Sequence, residues 1–284
     1  MTDLHLGLIG DNIAASKAPR LHILAGQQNG IVVQYDRLVP AELDLGFDDV
    51  FARCAQSGYR GVNVTYPYKE RAAGLVTIPD PLIREVGAVN TVLFEDTGPR
   101  GFNTDLTGFV SAYRSVMATQ DPGVICLAGT GGVGRAVAFG LLYLGVSEMR
   151  LFDCDAGKAG TLADALGRAN PDVSVRVCDT IEAAAQGADG LVNCTPLGMV
   201  GYDGSAIPAH LMKGAGWAFD AVYTPVSTLF LQNAAAGGLR LISGYELFVY
   251  QGLHAWKLFA DLPLDEATLR DSLNQPEKAI SAPE

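Results

Sequence analysis

Basic residues are in short supply: 20 Lys and Arg stand against 31 Asp and Glu, a formal net charge of −11 over 284 residues. With no dense Lys/Arg run, a phosphate backbone or an anionic membrane surface is repelled over most of the surface, so neither nucleic acid nor a membrane is an expected partner. Paired cysteines are missing too. Cys54, Cys126, Cys154, Cys178 and Cys194 are scattered singly with no Cys-x-x-Cys, which argues for reduced thiols and a cytoplasmic setting. No uncharged stretch reaches about 18 apolar residues. Residues 1–8 carry an acid and no basic region before a short apolar run, so signal peptide and membrane span are not expected. The four histidines (His5, His22, His210, His254) lack zinc-like spacing, and no metal is expected. His22 is expected to pack on its helix.

What is present suits a large α/β protein. The chain exceeds the usual single-domain size, which favours two domains, and a composition 49% hydrophobic with 33 glycines fits many tight turns. Short apolar runs alternate with amphipathic stretches in the first third: strand from Leu4 to Ile9, helix from about Ala18 to Asn29, strand from Ile31 to Leu38, helix from about Leu43 to Ser57, strand from Gly61 to Thr65. The rhythm restarts at Val124–Ala128, with a helix over Val133–Leu144 and a strand over Met149–Phe152. Further strands are expected at Val173–Val177, Gly190–Asn193 and Ala218–Ala221. The stretch from about Tyr245 to Leu273 reads as helical, returning to the first domain.

Gly129-Thr130-Gly131-Gly132-Val133-Gly134 is a Gly-x-Gly-x-x-Gly between a buried strand and a helix, the context in which the motif marks a dinucleotide site. The first glycine permits the tight turn, the second lets backbone amides approach a pyrophosphate at the helix N-terminus, and the third allows close helix–strand packing. Asp153, at the end of the next strand, lies near the offset of roughly 20 residues expected for the acid that accepts the ribose hydroxyls. A carboxylate there repels a 2′-phosphate, so NAD is the expected cofactor. Asp155 competes for that role, and Lys158 lies close by.

Lys69 follows the run Gly61–Thr65 near the start of a helix, Asn90 sits in Gly87-Ala88-Val89-Asn90-Thr91, and Asp105 stands where a helix over Leu106–Met117 begins. Singly these are a surface lysine, a strand-edge amide and a helix cap, the cap being Asp105 or Thr104. Together they follow glycine-marked apolar runs, and such groups converge at neighbouring strand ends, where a cluster of this kind ligates a polyol.

Thr65-x-Pro67-x-Lys69, Gly87 through Thr91, Asn103-Thr104-Asp105, Asn193-x-Thr195-Pro196-x-Gly198-Met199, Asp220-x-Val222-Tyr223-x-Pro225 and Gly244 through Gln251 occur in order along the chain. In these six segments it resembles the shikimate dehydrogenase family over essentially its whole length. The resemblance implies an N-terminal α/β substrate domain with a mostly parallel sheet (1–107), a Rossmann NAD-binding domain (108–240) and helices returning to the substrate domain (241–284). It implies a catalytic dyad of Lys69 and Asp105, with Ser16, Thr65, Asn90, Tyr223 and Gln251 gripping a small carboxylated polyol. The cofactor would be lined by Gly129, Gly131, Gly132, Val133, Gly134, Asp153, Lys158, Asn193, Thr195, Pro196, Leu197, Val222 and Gly244. The expected reaction is shikimate + NAD to 3-dehydroshikimate + NADH, in a monomer or homodimer. Alternatives are a quinate or aminoshikimate dehydrogenase, an NADP-linked enzyme of aromatic amino acid biosynthesis, or a non-catalytic NAD or ligand sensor.

Two departures from the family pattern carry weight. The family places two hydroxyl residues near the N-terminus for the substrate carboxylate, whereas this chain reads Ser16-Lys17-Ala18-Pro19. Biosynthetic members resemble Asn-Arg-Thr where this chain has Asp153-Cys154-Asp155, so the arginine used on the NADP phosphate is missing.

Overall fold

A computed structural model of the protein describes residues 3–275. The first sheet is built from β1 (Leu4–Ile9), α1 (Ala18–Gln28), β2 (Val33–Leu38), α2 (Phe47–Gln56), β3 (Gly61–Val64), α3 (Lys69–Ala73), α4 (Pro81–Val86), β4 (Thr91–Glu95) and β5 (Gly98–Phe102). Its strand order is β2-β1-β3-β4-β5. The pairings β1–β2 and β1–β3 are parallel, β3–β4 and β4–β5 antiparallel. β4 is therefore the one strand running against the other four, and the sheet is mostly parallel in direction. The expected helix over Leu43–Ser57 is split: Pro40–Leu43 forms a 3₁₀ turn and α2 starts after Gly46. Asp44 between them is left-handed, at φ 52°, which no helix continues through.

After α5 (Thr104–Met117) the second sheet follows: β6 (Val124–Ala128), α6 (Gly132–Tyr143), β7 (Glu148–Phe152), α7 (Ala156–Ala169), β8 (Ser174–Val177), α8 (Ile181–Ala185), β9 (Gly190–Asn193), β10 (Trp217–Asp220), α9 (Leu229–Ala236) and β11 (Arg240–Ile242). The order β11-β10-β9-β6-β7-β8 is parallel throughout. This is the doubly wound arrangement, and its strand order reverses between β6 and β9, the crevice where such sheets bind ligands.

The C-terminal helical stretch is two helices, α10 (Gly244–Ala260) and α11 (Glu266–Asn274). Asp261 ends α10 in the left-handed region at φ 53°, and Pro263 follows, where a helix cannot resume. Residues 276–284, the tail of the expected third segment, lie outside the described residues. α10 runs along α5 and reaches α1 and β4. The crossing is close because Gly108 has no side chain: a Cβ there would stand 2.8 Å from the Gln251 backbone nitrogen. Leu21 of α1, Phe248 and Val249 of α10, and Leu269 and Leu273 of α11 form one buried cluster, which fastens the terminal helices to the first sheet's layer. Among the described residues no helix is long and apolar enough to cross a membrane.

His22, on α1, is 1% exposed and packs beside Tyr35, Trp256 and Phe259. Burial lowers its pKa to about 3, with hydrogen bonding to Asn63 opposing in part. It is thus neutral when folded, while unfolding restores a value near 6.5. The associated stability is fully present above that value and is lost as pH falls toward 3. At the limit this amounts to roughly 5 kcal/mol. Urea unfolding between pH 7 and 4.5 is expected to show a slope that His22→Phe flattens; an unchanged slope would assign the acid sensitivity to other groups.

Candidate active site

The start of α3 and the end of α4 lie against the glycine loop after β6 and the first turn of α6. Lys69 is the first residue of α3 and Asp105 lies in the first turn of α5. Their side chains converge, with Lys69 Nζ donating to Asp105 Oδ2 at 2.6 Å; the two side chains are 11% and 8% exposed. An ion pair this far from water holds its geometry better than a surface pair, because less solvent competes for either partner.

The expected cap of α5 needs correction. Neither Asp105 nor Thr104 caps the helix; Asn103 does, its Oδ1 accepting from the Leu106 amide at 3.0 Å while its Nδ2 donates to the Ala88 carbonyl at 2.8 Å. That leaves the Asp105 carboxylate free to reach Lys69. Asn90 is 3% exposed. Its Oδ1 accepts from the Thr104 amide at 2.7 Å and from the Thr91 hydroxyl at 3.1 Å, and its Nδ2 donates to Thr104 Oγ1 at 3.0 Å. An amide nitrogen carries two hydrogens, so Asn90 retains one N–H and offers a ligand a donor rather than an acceptor.

Thr65 ends the β3 run, its amide donating to the Ile9 carbonyl. Ser16 precedes α1, where its Oγ accepts from the Ala18 amide at 3.3 Å. Tyr223 stacks on Phe248 with centroids 5.0 Å apart. Burial raises its pKa, and the Ser16 side chain and Lys17 backbone work against that rise, which places the Tyr223 phenol beside the start of α1. Gln251 on α10 donates from Nε2 to the Phe248 carbonyl at 2.9 Å.

The glycine loop divides its labour as its positions suggest. At Gly129, φ is +91° and a Cβ would strike the Cys194 backbone at 2.7 Å; at Gly134 a Cβ would stand 2.0 Å from the Gly129 carbonyl. Both are closed to side chains by the turn and by helix–strand packing. Gly131, by contrast, faces open space. The N-terminus of α6, where Val133 lies, has no side-chain cap, so its first amides are available to an anion. A Cβ at Gly132 would lie 3.3 Å from Lys69 Cβ, so the loop rests against the stem of the lysine.

Asp153 accepts from the Thr130 amide at 2.7 Å, from the Thr130 hydroxyl at 2.8 Å and from the Asp155 amide at 3.0 Å. Burial works to raise its pKa, but these hydrogen bonds and the nearby Lys158 outweigh it and hold the carboxyl below its usual range. Asp155, the competing acid, is the N-cap of α7 and accepts from the Gly157 and Lys158 amides. These features fit the adenosine half of a dinucleotide: open amides for the pyrophosphate and one ionised acid beside the loop.

With this geometry in view, the family model for the shikimate dehydrogenase substrate binding domain matches residues 8–92. The quinate/shikimate dehydrogenase (NAD(+)) of Corynebacterium efficiens is 33% identical over 271 residues, covering 93% of this chain and 95% of the relative. The chain belongs to the shikimate dehydrogenase family. The shikimate dehydrogenase (NADP(+)) of Pseudarthrobacter chlorophenolicus is 34% identical over 270 residues, covering 93% and 92%. Among solved structures, quinate dehydrogenase from Corynebacterium glutamicum in complex with NAD superposes with a TM-score of 0.87 at 31% identity, over 95% of this chain and 99% of that one.

The remaining family segments form the turns that follow β9 and β10 and the start of α10. Asn193 is fully buried. Its Oδ1 accepts from the Thr195 amide and hydroxyl, and its Nδ2 donates to the Leu197 carbonyl and to Asp220 Oδ1. Its side chain is committed to folding the Thr195-Pro196-Leu197 turn. Asp220 also accepts from Thr228 Oγ1 and from the Val222 amide, and burial raises its pKa to about 6. A Cβ at Gly244 would meet the Val222 carbonyl at 2.5 Å, so α10 begins against this same turn. Asp220, Thr130 and Thr104 stand within motifs of the sequence, but the sequence gives none of them a place in the site. Asp220 lay within a matched segment, but its partner Asn193 is on another strand and nothing local marks the pairing.

Proposed function

We propose that this protein is an NAD-dependent dehydrogenase that oxidises a ring hydroxyl of shikimate or of a closely related carboxylated polyol such as quinate. The observation that carries the reading is the buried Lys69–Asp105 pair set directly against the glycine loop at Gly132. A dinucleotide sensor needs the loop but has no use for a proton-handling pair beside it.

Bound nicotinamide supplies the hydride acceptor. Lys69 hydrogen-bonds the reacting hydroxyl and shuttles its proton, while Asp105 orients that hydroxyl and fixes the lysine. Asn90, with one N–H to spare, donates to a neighbouring ring oxygen. Thr65, Tyr223 and Gln251 serve the remaining oxygens, and Ser16 donates to the carboxylate. Holding both reactants on one rigid frame removes orientational freedom before the reaction begins.

Initial rates with shikimate, quinate and their amino and deoxy analogues, each with NAD and with NADP, test the reading. Reduction of NAD but scarcely of NADP by one of these acids is expected, and silence with every pair despite NAD binding would end it. The carboxylate end offers a sharper check. One hydrogen bond to a charged group contributes roughly 1.5–3 kcal/mol, so Ala18→Ser, restoring a second hydroxyl, is expected to lower KM for shikimate about 10-fold or more. No improvement would mean that the natural substrate carries its carboxylate elsewhere.

A further inference from the structure

Arg135 belongs to the first turns of α6, directly after the glycine loop, yet its side chain leaves the dinucleotide domain. Its Nε donates to the Val86 carbonyl and its Nη2 to the Glu85 carbonyl at 3.3 Å. Those carbonyls end α4, a helix of the substrate domain that closes on Gly87 in the left-handed region at φ 66°. The last carbonyls of a helix have no partners within it, and a cation there also complements the helix dipole. The guanidinium lies close over Gly87 as well: a Cβ at that residue would come within 3.4 Å of Arg135 Nη2.

The chain beyond Gly87 leads straight to the chemistry. The Ala88 carbonyl is held by Asn103, the cap of the helix that carries Asp105. The Val89 amide donates to the Lys69 carbonyl at 2.9 Å, and Asn90 comes next. The other polar link between α4 and the Rossmann helices, among the described residues, is Arg168–Glu85 at 3.6 Å, with side chains 64% and 44% exposed. A pair that exposed adds little.

From this path we infer that Arg135 is a positioning residue that couples occupancy of the cofactor loop to the placement of Lys69 and Asn90, by clasping the end of α4. The inference rests on the dehydrogenase reading for its effect on turnover, but the coupling itself needs only a bound dinucleotide. When NAD orders the glycine loop and the first turn of α6, the clasp transmits that order to residues 85–90.

The test is amide hydrogen exchange over residues 85–90 with and without saturating NAD, in wild type, Arg135→Ala and Arg135→Lys, together with kinetics on whichever polyol the wild type oxidises. Wild type is expected to show slower exchange at Val89 when NAD is present, and Arg135→Ala to lose that response with NAD affinity within about threefold of wild type. Its kcat is expected to fall about 10- to 100-fold, the scale of a misplacement near 1 Å at a reacting centre. Arg135→Lys, which keeps a donor and the charge, should recover part of both effects and serves if the alanine variant does not fold. Arg168→Ala is expected to change neither. NAD-dependent slowing that persists in Arg135→Ala, or a kcat equal to wild type, overturns the coupling. If the wild type oxidises no polyol tried, the exchange measurement decides alone, so failure of the functional reading is distinguishable from failure of the clasp.

Discussion

Lys69→Ala is expected to lower kcat about 10²- to 10⁴-fold, the usual share of a positioned proton-transfer group, while NAD affinity stays close to wild type. The separation follows from where the side chain ends. Its stem touches Gly132, but Nζ is directed to Asp105, 2.6 Å away, and not to the open side of the loop at Gly131. The substitution also leaves the Asp105 carboxylate, 8% exposed, without its cation. Removing one member of a buried pair costs up to about 3–5 kcal/mol of stability, so thermal unfolding must be followed alongside the kinetics. NAD titration of the variant distinguishes the two effects. Retained binding with lost turnover supports the proton role, whereas lost binding with turnover preserved would place Lys69 in the cofactor site instead.

How much of this was legible in the sequence depends on how local each feature is. The glycine loop was readable because its geometric demands fall on six consecutive residues between a strand and a helix, and the structure shows Gly129 and Gly134 closed and Gly131 open as those positions require. The Lys69–Asp105 pair was not readable from spacing. The two residues are joined only by the way β3 and β5, running in the same direction, bring the starts of α3 and α5 to one end of the sheet, and family resemblance supplied what local patterning did not. The cap of α5 cannot be read from local sequence for an instructive reason. Asn103, Thr104 and Asp105 are all competent N-cap types, and the choice is made by tertiary partners: Thr104 is held by Asn90, Asp105 by Lys69, and Asn103 is left to cap. Arg135 and Asp220 escaped for the same reason, since each acts on an element distant in the chain. Helix ends, by contrast, carried visible signals that the broad periodicity overran: Gly46 before α2, and Asp261 with Pro263 after α10.

Asp153→Ala is expected to shift the ratio of kcat/KM for NAD over NADP by about 100-fold or more toward NADP. Two contributions act in the same direction. A 2′-phosphate some 4 Å from an ionised carboxylate at a partly solvated site is opposed by about 4 kcal/mol, and the hydrogen bonds that keep the Asp153 carboxyl acidic ensure that it is ionised at neutral pH. Removing it lifts that penalty for NADP. For NAD, on the proposed reading, the substitution removes an acceptor from the ribose hydroxyls, which weakens binding by roughly 1.5–3 kcal/mol. The full change is smaller than the sum because Lys158 already offsets part of the repulsion, and because the Thr130 amide and hydroxyl lose their acceptor and the loop they belong to relaxes. Asp155→Ala provides the contrast. Its carboxylate is engaged by the Gly157 and Lys158 amides at the start of α7, so its removal is expected to cost about 1 kcal/mol of stability as a lost helix cap and to leave the cofactor ratio where it was. A ratio that moves with Asp155 and not with Asp153 would reverse the assignment of the two acids and, with it, the physical basis for expecting NAD.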